Sequence, residues 1–156
     1  MIATDLTLRE AVLCFSWSRM AVIDSQKVRG HIKETHLPLE GFYEALTRMC
    51  MLKALPTTQE IVDAGCADSA EYFLDGPLSN ADMYRNFCGL GTNKTEWGLF
   101  EIPGGRGEPI EQRLDHLIRL IIGTMEMQMG RKVSERDGSL SEAEGKKWCA
   151  ANLKTK

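Results

Sequence analysis

Pro38-Leu39-Glu40-Gly41-Phe42-Tyr43-Glu44-Ala45-Leu46-Thr47-Arg48-Met49-Cys50 is the stretch on which the reading of the fold turns. Leu39, Phe42, Tyr43, Leu46, Met49 and Cys50 recur at helical spacing, so they share one face of an amphipathic helix. Pro38 suits its opening, because the first N–H groups of a helix lack partners within it. Pro56 stops it. A second stretch of the same kind opens at Pro109: Ile110, Leu114, Leu117, Ile118, Ile121 and Met125 fall on one side, while Glu111, Arg113, Asp115 and Arg119 face away. These two helices are expected to cross, with Leu39, Phe42, Leu46 and Met49 packed almost completely buried against Leu114, Leu117, Ile118 and Ile121.

Shorter helices fill the space between. Thr57 with Glu60 forms a capping box ahead of Ile61 and Val62, and Gly65 ends that helix. Asp68 with Glu71 repeats the pattern ahead of Tyr72, Phe73 and Leu74, which Gly76-Pro77 terminates. A further short helix is expected from Ala81 to Phe87. Toward the N-terminus, Leu8, Val12, Phe15 and Val22 form an apolar stripe widened by Trp17 and Met20, which reads as one buried helix. Asp24 to His36 is polar, lacks periodicity and contains Gly30, so a loop is expected.

Residues 88–108 hold six glycines and Pro103, too much backbone freedom for a helix, and are expected to form an irregular loop. Within it, Trp97, Leu99, Phe100 and Ile102 read as a short strand or as a hydrophobic hook, packing inside the chain or docking a partner. A polar loop follows Gly130, and a short amphipathic helix from about Ser141 carries Trp148, Cys149 and Leu153. The fold class is therefore mainly α, a helical domain with a Gly-rich irregular loop. One domain over 1–156 is expected, with 1–87 and 109–156 as subdomains joined by loop 88–108.

Composition narrows the function. With 156 residues, 43% of them hydrophobic, the chain has enough apolar surface to fold alone. A net charge of −3 and the lack of a dense Lys/Arg run argue against nucleic acid as partner. No stretch approaches the ~18 apolar residues of a bilayer span and no secretory leader is visible, so a cytoplasmic protein is expected. Cys14, Cys50, Cys66, Cys88 and Cys149 are odd in number and scattered, which suits reduced thiols. His31 and His36 sit in polar sequence and His116 beside an apolar helix face. Cys-x-x-Cys, His-x-x-x-His and phosphate-loop patterns are absent, so the residues offer no catalytic constellation.

Val133-Ser134-Glu135-Arg136-Asp137-Gly138-Ser139-Leu140-Ser141-Glu142-Ala143-Glu144 resembles an EF-hand loop. Glu135, Asp137, Gly138, Leu140, Ser141 and Glu144 match the family's third, fifth, sixth, eighth, ninth and twelfth positions. The resemblance implies an EF-hand-like helical domain and a calcium site of Glu135, Asp137, Ser139, Ser141 and Glu144. Val133 stands at the first position and cannot ligate through its side chain, which removes a charge and a ligand and implies weak binding at most. The same residues also read as an ordinary Asp137-Gly138 turn followed by a Ser141–Glu144 capping box.

Leu37 to Leu46 is similar to the end of an EF-hand loop entering its exiting helix, although residues 30–36 lack alternating carboxylates and Gly41 stands at the bidentate glutamate position. Together with Pro109 to Ile121 it also resembles the degenerate helical modules of large ciliary and axonemal proteins. That resemblance implies a docking or scaffolding role and a cytoskeletal or ciliary setting. The expectation is a non-catalytic protein-interaction module without cofactor, its partner contacts including Trp97, Phe100, Met125 and Met129. Methionines clustered on the helices suit an adaptable binding surface. A calcium sensor with a degenerate loop is the alternative, and a cysteine-dependent enzyme the third.

Overall fold

The computed structural model describes residues 5–22, 37–91, 108–131 and 138–152, and the chain is mainly helical, with no strand among them. The α-helices are α1 (Leu8–Val22), α2 (Leu39–Leu52), α3 (Thr58–Asp63), α4 (Ser69–Leu74), α5 (Ala81–Gly91), α6 (Ile110–Gln128) and α7 (Glu142–Asn152), with a 3-10 turn at Pro77–Ser79. The expected loops Asp24–His36 and 92–107, with the hook Trp97–Ile102, lie outside the described residues.

Local chemistry sets the helix ends. Thr57 Oγ1 accepts from Glu60 N at 3.2 Å while Glu60 Oε2 accepts from Thr57 N at 2.8 Å, the reciprocal box expected for α3. Thr7 and Glu10 form the same box ahead of α1, with Thr7 N to Glu10 Oε2 at 2.7 Å. Asp68 Oδ1 caps α4 by accepting from Glu71 N at 2.9 Å. At the far end of α3, Gly65 takes φ +71°, so that its N–H reaches Val62 O and that of Cys66 reaches Ile61 O. Asn80 Oδ1 starts α5 by accepting from Asp82 N at 2.8 Å. That helix runs past the expected end at Phe87 to Gly91, so residues 88–91 are helical rather than loop. Tyr84, Phe87 and Cys88 are buried, and such packing outweighs the roughly 1 kcal/mol that each glycine costs a helix.

The chain divides into two compact units, residues 1–55 with 85–114 and residues 56–84 with 115–156. In the first, α1 lies on α2. The buried positions are Cys14 and Ser18 on α1 and Gly41, Ala45, Leu46, Met49 and Cys50 on α2. Ser18 can be buried because its hydroxyl donates to Cys14 O at 2.7 Å. Lys53 donates to both oxygens of the buried Asp5 at 3.0 and 2.8 Å, and Asp5 Oδ2 also accepts from Ala54 N. Arg113, buried, donates to Cys50 O at 2.8 Å and Lys53 O at 3.2 Å, satisfying carbonyls that the end of α2 leaves open.

The second unit is centred on Phe73, which is fully buried and meets Tyr84 edge-on with ring centroids 5.9 Å apart. Gly123 lets α6 run close to α4, because a Cβ there would overlap the Ala70 methyl. Ser69 Oγ donates to His116 O at 2.6 Å, and the buried His116 ring meets Thr58 Oγ1 at 3.3 Å through Nε2.

Three burial expectations fail. The spacing places Arg113 on the outward side with Glu111, Asp115 and Arg119, but it is buried, its guanidinium donating to the carbonyls of Cys50 and Lys53. On α1, Leu8, Val12 and Trp17 are exposed, since the small Cys14 and Ser18 face inward. On α2 and α6, Leu46, Met49 and Leu117 are buried as expected, whereas Leu39, Phe42, Ile118 and Ile121 are exposed. The apolar stripe on each helix is wider than the arc the core covers, and periodicity alone does not tell which edge stays inside.

Candidate functional site

Of the loop that resembles an EF-hand, Gly138 to Glu144 are described, and Glu135 and Asp137 lie outside the described residues. Ser141 and Glu144 form a capping box at the start of α7: Glu144 N donates to Ser141 Oγ, and Glu144 Oε2 accepts from Ser141 N at 3.0 Å and Ser141 Oγ at 2.7 Å. The other oxygen, Oε1, accepts from Arg131 Nη2. Both oxygens of the glutamate that would bind calcium bidentately are thus engaged within the chain. The Ser141 hydroxyl and N–H, followed by Arg131, hold the Glu144 carboxyl down at about 2. Ser139 contributes its carbonyl, which accepts from Arg131 Nη1 at 3.2 Å. Among the described residues no three His, Cys, Asp or Glu side chains form a group able to hold a metal ion.

The thiols are dispersed. Cys14, Cys50 and Cys88 are buried, Cys66 is half-buried and Cys149 is exposed, and none of the five forms a disulfide. Burial pushes the thiols of Cys14, Cys50 and Cys66 up, away from the reactive thiolate. Ser69 and His116 lie in the same unit, but the hydroxyl is spent on the His116 carbonyl rather than aimed at its ring.

Exposed apolar side chains form the more distinctive feature. Leu8 is 76% exposed, Trp17 56% and Val12 53%, whereas Ser18 and Cys14 on the opposite side of the same helix are 0% and 4%. At 100° per residue, Leu8, Val12, Leu13 and Trp17 span one side of α1, with the exposed Arg9 among them. In the same unit α2 exposes Leu39, Phe42 and Tyr43 on its first turns.

Of the residues expected at a partner surface, Met125 and Met129 are half-buried on and just beyond α6, and Trp97 and Phe100 lie outside the described residues. Periodicity does not mark α1 as a surface, because a stripe of large apolar residues ordinarily faces the core. The opposed run of small residues, Ala11, Cys14 and Ser18, was the signal that could have found it. No family model matches the chain, and neither a curated protein nor a solved structure matches it. Among the described residues no helix is long and apolar enough to cross a membrane.

Proposed function

We propose that the chain is a non-catalytic helical module that binds another protein on the outward face of α1, in the cytoskeletal or ciliary setting its resemblance implies. One observation carries this reading: α1 turns its small polar side inward and its large apolar side outward. Isolated apolar side chains are common on protein surfaces, but several on one helix face form the kind of patch that marks an interaction site. The partner that suits it is an amphipathic helix laying apolar anchors against Val12 and Trp17, with an acidic flank opposite Arg9. The raised thiols favour binding over cysteine chemistry.

The test is a double substitution, Val12→Asp with Trp17→Asp, against Val62→Asp, whose exposed side chain lies in the other unit. A photoreactive residue at position 17 of the otherwise unchanged chain identifies the partner by cross-linking. The double variant should melt within about 0.5 kcal/mol of the parent, as surface changes do, and lose that partner, while Val62→Asp keeps it. Retained binding, or a large loss of stability showing that the face is covered in the folded chain, would overturn the proposal.

A further inference from the structure

The end of α6 is made by Gly130, whose φ of +81° suits glycine. Gly130 N donates to Met127 O at 3.0 Å and Arg131 N to Glu126 O at 3.1 Å. In this type of helix end the residue after the glycine folds back over the last turn, and an apolar contact frequently joins it there. Here the pair is charged: Arg131 Nη1 donates to Glu126 Oε1 at 2.7 Å. Glu126 is 1% exposed, and a buried carboxylate keeps its charge only when it is paired.

The same guanidinium reaches two further places. Nη1 also donates to the Ser139 carbonyl, and Nη2 donates to Glu144 Oε1 at the start of α7. One cation thus collects two carboxylates and a carbonyl from the end of α6, the connection and the first turn of α7. That is the all-oxygen surrounding a hard metal ion would take, with an arginine at its centre.

We propose that Arg131 is a built-in cation between the end of α6 and the start of α7, docking α7 without calcium. α7 has no buried residue, its Trp148 being half-buried, so apolar burial holds it only weakly. A neighbouring bond, Trp148 Nε1 to Gln128 Oε1 at 3.1 Å, is exposed. The inference is independent of the partner surface on α1, and either can fail without the other.

Hydrogen exchange of the whole chain, resolved at the amides of α7 and of α4, tests it. Wild-type α7 should be protected equally in millimolar calcium and in chelator. Arg131→Met, which keeps the stem and removes the charge, should lower α7 protection by about tenfold or more while α4 is unchanged. Arg131→Lys should restore only part of it, because a single ammonium nitrogen lacks the planar fork whose two nitrogens face the two carboxylates. Calcium-dependent protection of the wild type, an α7 without protection in the wild type, or full protection in Arg131→Met would overturn the proposal. Should Arg131→Met also expose α4 by leaving Glu126 buried and unpaired, Glu144→Gln decides: selective loss in α7 supports the latch, and no loss refutes it.

Discussion

Helix α4 has six residues and buries four of them, Ser69, Ala70, Tyr72 and Phe73; helix α7 has eleven residues and buries none. Both begin with a side-chain cap and both carry an aromatic, so neither capping nor aromatic content separates them. The difference lies in what each meets. α4 lies against a glycine of α6 that lets the two backbones close up, whereas α7 is fastened by Arg131 and by one indole hydrogen bond. A short helix is secured by depth and a long one by charge, so perturbations should act on the two in different ways.

The largest effect is expected at Phe73. Its ring is fully buried against Tyr84 and Tyr72, and Phe73→Ala removes both the transfer energy of the ring and the contacts around the cavity left behind. The cost should be about 3 to 5 kcal/mol by urea denaturation. A loss under about 1 kcal/mol would show that α4 is not the anchored member of the pair.

Gly123→Ala comes next and tests the close approach itself. The added methyl would overlap Ala70, so the helices must move apart, at about 1 to 3 kcal/mol for an overpacked site. Ala70→Gly in the same chain should recover much of that loss. Failure to recover would place the strain elsewhere on α6.

The helical class was legible in the sequence because capping boxes and glycine stops are local: Thr57–Glu60, Asp68–Glu71 and Gly65 each act within a few residues. Burial was less legible, since it depends on which side of a wide apolar stripe meets another helix. Leu8, Val12 and Phe42 show this by lying outside, and Cys14 and Ser18 by lying inside. The charged contacts were illegible for a different reason. Asp5 with Lys53, and Arg113 with the carbonyls of Cys50 and Lys53, join residues about fifty or sixty positions apart, and no spacing rule connects them. Arg131 is an intermediate case. Gly130 marks the helix end in the sequence, but the return of the next side chain onto Glu126 and across to Glu144 follows only from the turn that the glycine makes.

A smaller effect is expected from Ser141→Ala, which removes the oxygen that accepts from Glu144 N and one of the two donors to Glu144 Oε2. The loss should be about 0.5 to 2 kcal/mol, typical of a helix N-cap, and confined to α7. An equal effect at the amides of α4 would join the two regions into one cooperative element and erase the contrast between them.

Acid sharpens the contrast most finely, because α4 is held by apolar contacts and α7 by a carboxylate. The folded Glu144 carboxyl lies at about 2, below its ordinary value of 4.5. A group depressed on folding contributes stability that is complete above the unfolded value, diminishes below it, and is gone once the pH falls through the folded value. The α7 contribution should therefore be whole at neutral pH, decline below about 4.5 and vanish near 2. A bulk melting curve would sum over all 22 acidic side chains of the chain. A carbon-13 NMR titration of the Glu144 side chain isolates the one that matters. Its midpoint is expected near 2 in the wild type and should move part of the way up toward 4.5 in Arg131→Met with Ser141→Ala, where the Ser141 hydroxyl and the Arg131 guanidinium are gone and the backbone N–H of residue 141 still donates. A wild-type midpoint already at 4.5 would mean that Glu144 is free in solution and that α7 is not fastened through it.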